Sequence, residues 1–263
     1  MKIVVMLSGG LDSTALAYHL LEQWPVKHEI HLHHANFNYN RVERPHAADA
    51  EKVHVRMVLE WLEANCRPFT HSISRHDFPA VSGRLWYNPH MWVAWIGTHQ
   101  LFLQNASILA TGRIATDRMY TDICHVYDSF QNLMGSGGAF ERRMIYRGKE
   151  TVRPAFMVNP IEHWTKGTAF RTVPRGLIDL TISCLNPQAV NGYYDPCGQC
   201  RTCGRRSMAK KLADSDMSDE EMHRTLLDHL PGNAMQVRDH EVFKWPVNLP
   251  LAEQVLEAYG ILD

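Results

Sequence analysis

Residues 3–14 read Ile-Val-Val-Met-Leu-Ser-Gly-Gly-Leu-Asp-Ser-Thr, and no other passage constrains the fold as strongly. The apolar run Ile3–Leu7 predicts a buried strand. Leu16, Leu20 and Leu21 predict a helix over Ser13–Gln23. Between them lies Ser8-Gly9-Gly10-Leu11-Asp12-Ser13. A strand that turns through glycines into a helix N-terminus gathers backbone N–H groups at the positive end of a helix dipole, which suits a phosphate. Gly9 and Gly10 allow an anion close to the main chain. The P-loop pattern G-x-x-x-x-G-K-[ST] is absent.

Asp12 adds a second constraint. A carboxylate beside phosphates repels them unless a divalent cation lies between, so its presence implies Mg²⁺ with a nucleotide. Ser13 and Thr14 offer hydroxyls in the first helical turn, where backbone donors lack helical partners.

The pattern continues as alternating units. Strands are expected at Glu29–Phe37, Phe69–Ile73 and Ser107–Thr111. Helices are expected at His46–Asn65 and at Trp92–Asn105, the latter a buried helix with apolar residues on most faces. This alternation predicts an α/β fold with a doubly wound, mostly parallel sheet. Ligands in such folds sit at the carboxyl ends of strands, which singles out Ser8–Ser13, Asn36–Tyr39 and Gly112–Asp117. The expected organisation is a nucleotide-binding domain over 1–180, a small zinc-binding subdomain over 181–211 and a helical extension over 212–263. In that extension Ser218-Asp-Glu-Glu221 reads as a capping box for a helix reaching Leu230, and Leu251–Tyr259 as a further helix. The extension offers a dimer contact. With 27 basic residues against 28 acidic ones, no excess charge draws the chain to nucleic acid or a membrane. No apolar run approaches a membrane span, and a cytoplasmic location is expected. His31, His33 and His34 are expected in or beside a strand.

Four of the six cysteines group as Cys184, Cys197, Cys200 and Cys203. Thiolates select soft or borderline metals, and four of them around one ion are a closed structural zinc site. Gly198 suits the turn that aims two sulfurs at one ion. An iron–sulfur cluster is the alternative metal reading, and disulfides fit poorly with a reducing compartment. Cys66 reads as a core thiol at a helix end, and Cys124 is left open.

The Ser-Gly-Gly-x-Asp-Ser loop resembles the PP-loop of the ATP pyrophosphatases, also called adenine nucleotide alpha hydrolase-like proteins. Together with C-x12-C-x2-C-x2-C it resembles the 7-cyano-7-deazaguanine synthase family over about residues 1–211. Phe37-Asn38-Tyr39, Thr111-Gly112, Tyr120-Thr121-Asp122, Phe130, Pro160 and Lys166, and Leu180–Cys184 resemble further family segments. Asn88–Trp92 stands where the family has Gly-Arg-Asn, and the insert 132–149 has no family counterpart, so it reads as a lid or a loop.

The resemblance implies a C–N ligase of queuosine-precursor synthesis. A 7-carboxy-7-deazaguanine is adenylated by MgATP and converted with ammonia to the amide. The amide is adenylated again and becomes the nitrile. Implied roles are ATP binding by Ser8–Ser13 and Gly112, catalysis by Asp12, Ser13 and Lys166, substrate contact by Asp117, Tyr120 and Asp122, and Zn²⁺ on the four cysteines. Three alternatives stay open: a relative that stops at the amide or adenylates another substrate, a tRNA-modifying PP-loop enzyme, and a non-catalytic zinc-ribbon protein.

Overall fold

The computed structural model describes residues 1–38, 46–77, 89–114, 139–146, 149–218, 221 and 225. The first half alternates as expected: β1 (Lys2–Met6), α1 (Leu11–Gln23), β2 (Glu29–Asn38), α2 (Ala47–Asn65), β3 (Thr70–Asp77), α3 (Pro89–Leu103) and β4 (Ile108–Ala110). Next come β5 (Ala139–Tyr146), β6 (Lys149–Val158), α4 (Lys166–Thr172) and α5 (Arg175–Asp179). A hairpin of β7 (Gln188–Val190) and β8 (Tyr193–Asp195) leads to α6 (Arg201–Ala213).

The main sheet has the order β3-β2-β1-β4-β6-β5. Five strands are parallel and β5 joins antiparallel at the edge. β1 is central, with Val4 in register with His31 on one side and Leu109 on the other. Alternation along each strand sends side chains to opposite faces. Ile3, Val5 and Leu7 join Ile30, Leu32, Ile108 and Phe156 in one core with α1, α2 and α4. Val4, Met6, Leu109 and Met157 are buried on the other face, where α3 packs against β1, β2 and β4. Helices thus cover both faces, as a parallel sheet requires. The chain order reverses direction across β1 and β4, and this places the ligand crevice at their carboxyl ends.

Three expectations need correction. α3 begins at Pro89, and it is not apolar-buried on most faces: Trp95, Phe102 and Leu103 are exposed. Within the insert, residues 139–146 are neither lid nor loop but the edge strand β5, with Tyr146 in register with Lys149. Its central Glu141-Arg142-Arg143 carries no apolar alternation, because an edge strand needs little. The capping box at Ser218 is present: the Ser218 N–H donates to Glu221 Oε2 (2.8 Å) and the Glu221 N–H to Ser218 Oγ (3.2 Å). The helices expected at 222–230 and 251–259 lie outside the described residues apart from Thr225.

On the α3 side of the sheet, histidines and hydroxyls alternate in one hydrogen-bonded row between β2 and β3. Thr70 Oγ1 lies 2.8 Å from His31 Nδ1, and His31 Nε2 lies 2.8 Å from Ser72 Oγ. Ser72 Oγ is 2.7 Å from His33 Nδ1, and His33 Nε2 is 2.9 Å from Ser74 Oγ, which reaches His76 Nε2 at 2.7 Å. A neutral imidazole offers one donor and one acceptor, so it suits this row without charge. Burial, with Lys2 and His71 nearby, lowers His31 to about 4. Burial and the neighbouring His31, His34, His76 and His99 lower His33 to about 3. Burial lowers His34 to about 4 against the opposing hydrogen bond to the Leu7 carbonyl.

These groups take up protons more readily in the unfolded chain, whose histidines titrate near pH 6.5. Their stabilisation is complete above that pH and is lost as pH falls toward about 4. Each histidine contributes a slope of about 1.4 kcal/mol per pH unit inside that window. Urea midpoints should therefore stay level above about pH 7 and fall steadily below about pH 6. A midpoint level through that range would show that the three rings are solvated in the folded protein.

Candidate nucleotide site and four-cysteine centre

The loop after β1 reaches α1 through Gly9 and Gly10. Gly9 has φ +74°, and a Cβ there would lie 2.9 Å from Val55 Cγ2 on α2, so both backbone angle and space require glycine. Gly10 is the N-cap of α1. Serine hydroxyls hold the loop amides in place. The Ser8 N–H donates to Ser13 Oγ (3.0 Å), the Gly10 N–H to Ser8 Oγ (3.3 Å) and the Leu11 N–H to Ser183 Oγ (3.3 Å). Ser8 Oγ and Ser13 Oγ are 2.9 Å apart. A cradle of amides held by exchangeable hydroxyls can pass those donors to phosphate oxygens.

Gly112, expected at the nucleotide, lies directly against this loop. A Cβ on it would sit 2.7 Å from Ser13 Cα and 2.8 Å from Ser13 N, both rigid backbone. Its neighbour Thr111 donates through Oγ1 to Asn159 Oδ1, which ties the end of β4 to the end of β6. Arg113, inside the strand-end stretch Gly112–Asp117 but given no role from the sequence, is 5% exposed at the same strand end.

Lys166 opens α4, where Thr165 and Thr168 form a capping box. Its Nζ forms an ion pair with Asp12 Oδ2, and neither side chain is more than a quarter exposed. They stand 154 positions apart in the sequence, and the fold alone bridges that distance. The other oxygen, Asp12 Oδ1, is buried with no partner among the described residues. An orphaned buried carboxylate oxygen at the start of α1, beside the glycine loop, fits a hard cation with oxygen ligands, such as Mg²⁺. Asp117, Tyr120 and Asp122 lie outside the described residues, as does Cys124.

The four cysteines converge. Their Sγ atoms all lie within 4.8 Å of one another, with Cys184–Cys200 at 3.9 Å and Cys200–Cys203 at 3.4 Å. All four are free thiols rather than disulfides. Sulfurs about 2.3 Å from one tetrahedral ion stand just under 4 Å apart, so the spacing fits a single ion. The β7–β8 hairpin, which the sequence reading missed, makes this possible. Asn191 (φ 50°) and Gly192 (φ 82°) form its turn, and the Asn-Gly pair between Val190 and Tyr193 was the available signal. The hairpin folds Cys197 back on Cys184, whose Sγ accepts the Cys197 N–H (3.2 Å) and the Asn186 N–H (3.4 Å). Gly198 takes the turn conformation expected of it, with φ +72°.

Cys200 is the N-cap of α6 and Cys203 lies in its first turn. Burial opposes the Cys200 thiolate, but the Thr202 hydroxyl at 3.0 Å and the Leu185 and Cys203 amides outweigh it and lower Cys200 to about 5. Away from the centre, Cys66 caps α2, and burial with Glu22 nearby pushes its thiol up to about 11.

The chain matches no family model, and no curated protein matches it. Among solved structures it is similar to the U34-tRNA thiolase NcsA from Methanococcus maripaludis with its 4Fe-4S cluster. The two are 15% identical, with a TM-score of 0.44 over 88% of this chain and 73% of that chain. No described helix is long and apolar enough to cross a membrane.

Two substitutions test this geometry. Gly112→Ala drives a Cβ into the Asp12–Ser13 backbone and should cost about 1–3 kcal/mol in unfolding free energy. A variant as stable as the parent would mean that β4 and α1 are farther apart than described. Cys200→Ser should bind metal more weakly and lower the thermal midpoint together, read by metal analysis and calorimetry. Full metal loading at unchanged stability would exclude Cys200 as a ligand.

Proposed function

We propose that this chain is an ATP pyrophosphatase-type ligase that adenylates an oxygen of a carboxylate substrate. The observation that carries this reading is the Asp12–Lys166 pair at the mouth of the amide cradle, with Asp12 Oδ1 left over for a cation. A phosphate loop alone would bind an anion. A loop with a carboxylate and a lysine at its rim can also stabilise charge that builds on a leaving pyrophosphate.

The loop and the α1 N-terminus hold the β- and γ-phosphates, and Gly112 leaves room for the main chain to approach them. When bound, Mg²⁺ screens the phosphate charge and polarises the phosphorus under attack. A carboxylate oxygen of the substrate forms a bond to the α-phosphorus as the bond to the bridging oxygen breaks, and pyrophosphate leaves with that electron pair. Lys166 exchanges its contact with Asp12 for a phosphate oxygen. Ammonia then attacks the acyl carbon and AMP departs, leaving the amide after loss of a proton. A second adenylation, on the amide oxygen, followed by loss of AMP and of both protons on the amide nitrogen, leaves the nitrile.

The substrate implied by the sequence resemblance is 7-carboxy-7-deazaguanine, and the product is 7-cyano-7-deazaguanine. Zn²⁺ on the four cysteines completes the reading. Four thiolates close the coordination sphere, so that ion serves structure.

Mass spectrometry after incubation with MgATP, ammonium and 7-carboxy-7-deazaguanine should find the nitrile with two AMP per product. Amide with one AMP would show a ligase that stops halfway. No AMP would reject this substrate. Asp12→Ala should lower AMP formation by at least about 10²-fold with circular dichroism unchanged. An active Asp12→Ala would remove the cation from the mechanism.

A further inference from the structure

The four-cysteine centre and the phosphate loop touch through the chain itself. Cys184 is preceded by Ile182 and Ser183, and both residues bond the loop. The Ile182 N–H donates to the Gly9 carbonyl (2.9 Å), and Ser183 Oγ accepts the Leu11 N–H (3.3 Å). A Cβ on Gly10 would lie 3.3 Å from Ser183 Oγ and 3.5 Å from the Ile182 carbonyl, so the two strands of chain are in contact along this length. The sulfur-bearing Cys184 therefore directly follows the residue whose hydroxyl holds a donor of the loop.

A second arm runs from the other side of the centre. Cys200 and Cys203 sit at the start of α6, and Arg206 stands on the next turn. Its guanidinium donates to Thr181 Oγ1 (2.7 Å) and the Ile178 carbonyl (2.8 Å). It also lies 5.6 Å from the ring centroid of Phe170 on α4, the helix that begins with Lys166. His54 on α2, next to the Val55 that backs Gly9, sits between the Leu180 carbonyl (2.7 Å) and the Tyr194 carbonyl (3.0 Å). The segment 180–183 is therefore held by α2, by α6 and by the sulfur of Cys184.

We propose that metal occupancy at the four cysteines sets the conformation of the Gly9–Leu11 loop, with Ser183 and Arg206 as the positioning residues that connect them. The physical reason is that the hairpin has little apolar cover. β7 and most of β8 are exposed, so without a metal the hairpin and Cys197 have no core to order them, whereas Cys203 is buried on α6, which packs on α4. Releasing Cys184 frees Ser183, and the Leu11 amide then loses its partner. Loading the metal fixes Ser183, whose own O–H has no acceptor among the described residues and is free for an anion on the loop. Such coupling is reciprocal: a nucleotide that selects the ordered loop tightens metal binding by the same factor.

The nucleotide half of this statement rests on the proposed function, and the loop half does not. The experiment uses the full chain, stripped by a chelator under reducing conditions and then loaded with Co²⁺, whose thiolate absorption reports occupancy. Amide hydrogen exchange of residues 8–12 is measured with and without Co²⁺, and Co²⁺ affinity with and without MgATP. Exchange in the loop should slow about tenfold or more on loading. Ser183→Ala should keep the Co²⁺ spectrum yet lose most of that protection, while Ser183→Thr, which retains the hydroxyl, restores it.

MgATP should tighten Co²⁺ about tenfold in the parent and much less in Ser183→Ala. Metal-dependent loop protection without any ATP binding supports the coupling and overturns the proposed function. Loop exchange that is the same in stripped and Co²⁺-loaded parent overturns the coupling, whatever ATP does. So does a loaded Ser183→Ala that exchanges like the loaded parent.

Discussion

The contact on which this structure depends is backbone against backbone: Gly112 at the end of β4 lies against the Asp12–Ser13 main chain at the start of α1. Two parallel strands whose crossovers leave in opposite directions open a crevice at their carboxyl ends. Here the missing side chain at Gly112 lets the two walls of that crevice close on the loop. Val55 backs the loop from α2, and Ile182 and Ser183 hold it from the segment leading to Cys184. The loop has no side-chain core of its own, so its shape is borrowed from these three neighbours.

Charge is arranged around that geometry with economy. The cradle is positive through its amides, and Asp12 would spoil it if left alone. Lys166 neutralises one carboxylate oxygen and leaves the other buried without a partner among the described residues. The pair has to form after the chain has returned across the sheet, since α4 follows β6. The pair therefore arrives with the whole fold and not with the N-terminal strand–loop–helix unit. The buried histidine row on the opposite face makes a contrasting use of polar groups, holding two strands together through neutral rings and hydroxyls.

Much of the architecture was legible. Strands and helices alternate clearly enough in the sequence to locate β1 to β4 and α1 to α3 within a few residues: β1 and β4 are short unbroken apolar runs, β2 mixes apolar residues with histidines, and α2 has a clear apolar stripe. The four cysteines were legible from spacing, since thiolates at C-x2-C steps have few other purposes. The edge strand β5 was not, because Glu141–Arg143 carries no apolar alternation. The Asn191-Gly192 hairpin carries only the turn pair as a signal, because its strands are three residues long and mostly exposed and so show no apolar pattern.

By itself, the sequence determined the local chemistry: a glycine loop between strand and helix, a carboxylate beside it, four thiols within twenty residues. Propensity, backbone freedom and metal–ligand preference act over short distances, and a linear pattern can carry them. Tertiary structure alone decided which distant groups meet. Lys166 reaches Asp12, Ser183 reaches Leu11 and Arg206 reaches Thr181 because strand order and helix packing place them there. Such meetings arise from the burial of the whole core, and no window of the sequence contains that information.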